Sequence, residues 1–232
     1  VMPTEASGAR LAAMSEEPHD DYPWPDGPWV RALFVTALDG AYAGADGRSG
    51  SISGPADRRV LAAVRRWSDA VVVGAATMRV ERYTPMRVSD EISSERAARG
   101  LASAPRLVII SGSLDLPWSD PVYSESTLPP LIVTGERAAA DVLGRVPETC
   151  ELLIAPGDRV EPAWLRAALI DRGLSRIVCE GGRTLLDEFG RAGIVDEWAL
   201  TVSGLGVGGR FAPVSARCED EFVFTRFIRQ GD

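Results

Sequence analysis

An α/β fold, with a mostly parallel central sheet and helices on both faces, is what two features of this 232-residue sequence predict. Short continuous apolar runs of strand length alternate with segments whose apolar residues recur at helical spacing. The runs lack a polar–apolar alternation, which is how strands buried on both faces read. Several of them end in Gly, Ser or Thr, and in a parallel sheet such ends lie on one side, where ligands find room.

The elements follow in order. Val30 to Leu38 reads as the first strand, ended by the turn Asp39-Gly40. A polar loop, Gly44 to Gly54, carries Ser49, Ser51 and Ser53. Pro55 then opens a helix whose Val60, Val64 and Trp67 form a core face. Arg58, Arg59, Arg65 and Arg66 fall on its other faces, as solvent charges with one in reach of a substrate phosphate. Ala70 to Val73 is the second strand, and Gly74-Ala75-Ala76-Thr77 turns out of it. Glu81 to Arg87 is irregular, with charges and an aromatic, and suits an active-site wall; Ser94 to Leu101 reads as a short helix. Leu107 to Ile110 makes a third strand, followed by Ser111-Gly112-Ser113. Leu131 to Val133 makes a fourth, followed by Thr134 and an alanine-rich helix. Leu152 to Ala155 is the fifth, leading to a helix with Trp164, Leu165, Ala168 and Leu169. Ile177 to Cys179 is the sixth. Trp198 to Val202 and Phe222 to Ile228 have the β-rich alternation of antiparallel edge strands, with the glycine-dense Ser203 to Gly209 between them.

Composition narrows the function. The chain is 45% hydrophobic and 25% charged, with a formal net charge of −8. That balance argues against nucleic acid or a membrane surface as partner, since both call for a basic face. No apolar run approaches the roughly 20 residues that span a bilayer. Three widely spaced cysteines and one histidine, His19, exclude a zinc site, a Cys–His nucleophile and a Ser–His–Asp triad, so no metal is expected. Chemistry here must run on a cofactor or on carboxylates. Residues 1–23, rich in Ala, Ser, Glu and Pro, read as a flexible arm, and 24–232 as a single domain. With no targeting signal and no even cysteine framework, a cytoplasmic location is expected.

The organising stretch is Ser175 to Gly193. An apolar strand runs into Glu180 and then Gly181-Gly182; Thr184 stands as an N-cap, and Leu185, Leu186 and Phe189 form the apolar side of a helix. A strand, a glycine turn and a helix start point backbone N–H groups at an anion, with no Cβ in its way. The pair alone leaves two readings open, a seat for a dinucleotide phosphate and an ordinary βα connection. The gathering of small residues at several strand ends favours a nucleotide crevice holding both Gly74 and Gly181-Gly182.

The ordered set Leu38-Asp39-Gly40, Gly74-Ala75-Ala76-Thr77, Cys179-Glu180-Gly181-Gly182, Val195-Asp196-Glu197 and Gly206-Val207-Gly208-Gly209 resembles the reductase family of riboflavin biosynthesis, whose fold is dihydrofolate-reductase-like. The resemblance implies NADPH-dependent reduction of a ribosylamino-pyrimidine phosphate by a homodimer. It implies cofactor contacts from Val35, Gly74, Thr77 and Glu81, from the hydroxyls of Ser111, Ser113 and Thr134, and from Gly181, Gly182, Arg183, Thr184 and Leu185. Substrate contacts fall to Ser49, Ser53, Arg65, Arg87 and Glu180, and proton handling or hydrogen bonding of the sugar hydroxyls to Asp39 and Glu180. Leu33, Phe34 and Ala37 stand where the family has a polar or basic residue and a serine, and Arg183 follows a glycine pair usually succeeded by a small residue or proline. These departures admit two other readings: a reductase of a dihydropterin-like substrate, and a nucleotide-binding homologue without catalysis.

Overall fold

The computed structural model describes residues 18–138, 143–206 and 209–230. Seven strands form one sheet in the order β5-β4-β3-β2-β6-β1-β7, with every neighbouring pair parallel. They are β1 (Trp29–Ala37), β2 (Ala70–Gly74), β3 (Arg106–Ile110), β4 (Leu131–Gly135), β5 (Glu151–Ala155), β6 (Arg176–Gly181) and β7 (Glu197–Ser203). Helices α1 (Pro55–Arg66), α2 (Ala75–Glu81), α3 (Asp90–Ala98), α4 (Val122–Glu125), α5 (Pro162–Ile170) and α6 (Arg183–Arg191) lie between them. The alanine-rich helix expected after Thr134 runs into residues 139–142, outside the described residues, as do residues 1–17 of the expected arm.

The continuous apolar runs bury both faces, as a parallel sheet requires. Val72, Val108, Val133, Ile177 and Cys179 point to one side, against Leu165 and Leu169 of α5 and Leu185 and Phe189 of α6. The intervening Val71, Val73, Leu107, Ile109 and Ile132 point to the other, against Met78 of α2 and Val122 and Tyr123 of α4. On that second side Leu33, Val178 and Ala199 pack on Val60 and Val64 of α1, with Tyr22 and Trp24 laid alongside. Arg31, buried on β1, pairs with Glu197 at 2.7 Å and donates to the carbonyls of Tyr22 and Pro23. Tyr22 thus belongs to the packed body.

Three local expectations give way. Gly74-Ala75-Ala76-Thr77 does not leave as a turn: Gly74 caps α2, which starts at once and buries Met78. Helix α3 begins earlier than Ser94, because the Ser89 hydroxyl accepts from Ile92 N and caps it. At the C-terminus the edge strand β7 is parallel. The antiparallel strands β9 (Gly209–Glu219) and β10 (Phe222–Arg229), with the short β8 (Leu205–Gly206), form a ribbon of their own.

Asp69, in the connection between α1 and β2, clips the amino end of the sheet. Its Oδ2 accepts from Ser175 N at 3.0 Å, Ser175 Oγ at 3.2 Å and Arg176 N at 2.7 Å. Asp69→Ala strands two backbone donors next to a buried strand start. It is expected to lower stability by about 2–4 kcal/mol, since an unmet buried donor costs roughly 1–3 kcal/mol. Urea unfolding should show a lower midpoint with an unchanged slope.

Candidate active site

β6 lies between β1 and β2, which are consecutive in the chain. It pairs with β1 only as far as Ala32↔Cys179, whereas β1 continues beside β7 to Ala37↔Ser203. Past Cys179 the two strands part, and a cavity of about 1370 Å³ opens there. It is walled by the far half of β1, the loop through Ser49, the inner face of α1, the end of α2 and the first turn of α6.

Glu180 stands at the parting. Val72 pairs with Cys179 and Val73 with Gly181, so Glu180 is the extra residue of a β-bulge. The bulge leaves its carboxylate at the cavity, only 5% exposed. Arg65 of α1 grips it from two sides, Nε to Oε1 at 2.6 Å and Nη2 to Oε2 at 2.5 Å. The Tyr83 hydroxyl donates to Oε2 at 2.7 Å, and the Tyr83 ring lies 5.3 Å from the Arg65 guanidinium carbon. Burial, the largest single influence, would lower the Arg65 pKa, but the Glu180 charge, its hydrogen bonds and Tyr83 together outweigh it and hold the guanidinium firmly protonated. The Tyr83 phenol is pushed well up, first by burial and then by the Glu180 charge. Beside them, burial pushes the Cys179 thiol up to about 12, against a smaller opposing hydrogen bond from the Gly181 backbone. Cys179 is therefore no nucleophile near neutral pH.

The glycine pair adjoins this cluster. Gly181 has φ +88°, a conformation suited to glycine, and its peptide to Gly182 is cis. Gly182 N donates to Thr77 Oγ1, which ties the turn to α2. A Cβ on Gly182 would come 2.9 Å from that oxygen, so a side chain would displace the contact. Gly182, not Thr184, caps α6, and no side chain closes its first turn. Gly74 lies within reach of the same turn, about 3.8 Å from the Gly181 carbonyl oxygen measured from where its Cβ would be. The expected meeting of Gly74 with Gly181-Gly182 at one end of the sheet is realised.

Val35, Ser49, Ser53, Arg65, Thr77, Glu81, Glu180, Gly182, Arg183 and Thr184 all line the cavity. Several are already engaged: Glu81 Oε1 accepts from Ser49 N at 2.7 Å, and Ser53 Oγ donates to Asp57 Oδ2 at 2.7 Å. Arg183 lies over the Tyr42 ring, 5.4 Å from its centroid, which parks the guanidinium beside the turn. Other expected residues lie outside the lining. Asp39 is exposed, and its Oδ1 accepts from Ala41 N within the turn after β1. Arg87 turns outward to Glu125 at 2.7 Å. Ser111 is buried with its Oγ accepting from Leu114 N, Thr134 is buried, and Ser113 sits at the surface beyond the cavity. Tyr42, Arg82 and Trp198 line the cavity without having been singled out. Arg82 takes a left-handed φ of +50° where α2 ends, and no sequence signal marks a non-glycine residue there. Among the described residues, Arg58, Arg82 and Arg183 have no carboxylate partner, so three guanidinium groups at the cavity of an acidic protein stay outside any ion pair, as do the carboxylates of Asp57 and Glu81. No group of His, Cys, Asp and Glu side chains among the described residues is placed to hold a metal ion.

A seven-stranded parallel sheet that opens beside a double-glycine turn, with an antiparallel ribbon apart from it, defines a reductase of the α/β class that the sequence resembles. The chain belongs to the family described as the RibD C-terminal domain, which it matches over residues 28–220. It is 31% identical over 187 residues to a 2,5-diamino-6-ribosylamino-4(3H)-pyrimidinone 5′-phosphate reductase of Methanothermobacter thermautotrophicus, covering 80% of this chain and 82% of that one. A protein of the same name from Archaeoglobus fulgidus is 25% identical over 80% of this chain and 84% of its own. Among solved structures, a pyrimidine reductase-like protein from Corynebacterium diphtheriae superposes with a TM-score of 0.71 at 26% identity, covering 88% of this chain and 93% of that one. The chain is thus an oxidoreductase of the riboflavin-biosynthesis type.

Removing Arg65 leaves Glu180 buried without its counter-charge. Arg65→Met is expected to cost about 3–5 kcal/mol, the usual penalty for orphaning one partner of a buried pair. The double variant R65M/E180Q should cost clearly less than the sum of the single variants. Chemical denaturation of all four proteins measures this coupling.

Proposed function

We propose that this protein uses NADPH to reduce a ribosylamino-pyrimidine 5′-phosphate, the substrate its relatives are named for, and that it acts in the cytoplasm as a homodimer. The observation that carries the reading is the uncapped first turn of α6 beside Gly182, facing a large cavity with unpaired arginines. A phosphate fits that turn because the helix start supplies backbone donors that no side chain caps. Gly182, Arg183 and Thr184 would hold the dinucleotide there, with Thr77 keeping the turn in shape. Arg58 and Arg82 are the free guanidinium groups for the substrate phosphate, since the Nε and Nη2 edge of Arg65 is committed to Glu180. The nicotinamide supplies the hydride when bound. Reduction replaces the C1′–O4′ bond of the sugar with a C–H and an O–H, so a hydride and a proton are taken up. Glu180, held by Arg65 and Tyr83, accepts from sugar hydroxyls and orients C1′, while Leu33, Phe34 and Trp198 keep water from the reacting carbon.

The apolar Leu33, Val35, Leu61 and Val80 in the same wall support a second reading, a flat dihydropterin-like ring as substrate. Nicotinamide fluorescence on titration with NADPH tests the cofactor, and loss of its absorbance with each heterocycle tests the substrate. Turnover with the ribosylamino-pyrimidine phosphate is expected; turnover with a dihydropterin alone would replace that reading with the second. Cofactor binding without turnover would make this a silent homologue, and no binding at millimolar NADPH would end the proposal.

The dimer rests on exposed apolar surface. Trp198, Leu200 and Val202 alternate along the uncovered edge strand β7, and Phe222, Val223 and Phe224 are exposed on the ribbon. An apolar edge invites pairing, and a second copy brings the matching surface. Sedimentation should give a dimer, and the F222E/F224E variant a monomer.

A further inference from the structure

Tyr83 lies in the wall that sequence pattern marks between Glu81 and Arg87, yet no role follows for it from the family resemblance. Its hydroxyl reaches Glu180 because two anchors deliver it. Glu81 holds the end of α2 to the Ser49 backbone at 2.7 Å, and Arg82 turns the chain through φ +50° immediately before it. The ring then settles against Arg65, and the hydroxyl meets Oε2.

A carboxylate offers about four acceptor sites, two on each oxygen. Arg65 fills one on Oε1 and one on Oε2, and Tyr83 fills the second on Oε2. One site is left, on Oε1. We propose that Tyr83 is a positioning residue which, by closing Oε2, keeps the Glu180 carboxylate turned so that a single substrate hydroxyl is received at Oε1. The use made of that oxygen rests on the function proposed above; the hold on the carboxylate does not. Arg65 from α1, Tyr83 from the segment after α2 and Cys179 beside it on β6 face Glu180. Only Arg65 and Tyr83 donate to its carboxylate among the described side chains.

Tyr83→Phe keeps the ring against Arg65 and removes only the third donor. The Glu180 carboxylate stretch, isolated by infrared difference against E180Q, should therefore change position in Y83F as one hydrogen bond to Oε2 is lost. Replacing Tyr83 by 3-fluorotyrosine, a stronger donor, should move it in the opposite direction. In turnover, Y83F should raise KM for the pyrimidine substrate roughly tenfold or more, since a hydrogen bond to a charged group is at stake. NADPH affinity should stay unchanged. A carboxylate band at the same position in all three proteins would overturn the proposal. If the parent turns over no pyrimidine, the substrate reading fails while the infrared band still decides the role of Tyr83.

Discussion

A carboxylate buried where a parallel sheet opens is stable only where donors come to meet it, and this requirement shapes the region around Glu180. Taking an ion out of water costs several kcal/mol unless charge and hydrogen bonds answer it. The bulge in β6 supplies the position, and α1 supplies the answering cation from its last turn. Tyr83 completes the set from a third element. The same three contacts therefore tie α1, the segment after α2 and β6 together at the point where the sheet opens. Stability and site geometry are secured by one group of side chains.

The opening itself follows from strand order. Because β6 returns between β1 and β2, it must part from β1 once their lengths diverge, and β1 is carried on by β7 alone. Nothing but side chains and loop can fill that gap. The glycine turn at its floor keeps the backbone bare, since Gly181 takes a positive φ and Gly182 has no room for a Cβ beside Thr77. Charge is distributed to match. On a protein of net charge −8, Arg58, Arg82 and Arg183 stand at this cavity without an ion-pair partner among the described residues, which favours an anionic ligand there by fields of short range.

Much of this was legible in the sequence because burial on both faces leaves an unmistakable pattern. Runs such as Ala70 to Val73 and Leu131 to Val133 admit no polar residue, and each proved to be a strand. Local starts were less legible where a distant partner decides them. Thr184 has the chemistry of a cap, yet α6 begins after Gly182, whose N–H is taken by Thr77 from 105 residues away. Ala75-Ala76-Thr77 reads as a turn by its small residues, while the burial of Met78 makes it a helix. The same limit applies to the site. Arg65 and Glu180 could each be marked, but not their pairing across 115 residues. A hydroxyl at a strand end has no fixed direction in sequence, and Ser111 and Thr134 turn into the interior.

The altered first strand is the remaining question of function, and the packing answers part of it. The family resemblance implies a polar or basic group near Leu33 or Phe34, and here the Leu33 side chain joins Val60 and Val64 beneath α1. Phe34 meets Trp198 edge to face at 5.9 Å. Both positions have been drawn into apolar contacts, so neither offers a hydrogen bond to a ligand. A sugar phosphate bound here must find its polar contacts elsewhere along the wall. Among the groups that remain are Glu180, whose Oε1 keeps one acceptor site, and the unpaired guanidinium groups of Arg58 and Arg82. Discrimination between a ribosyl phosphate and a bare heterocycle then falls to polar side chains such as these, because the β1 wall treats any flat ring alike.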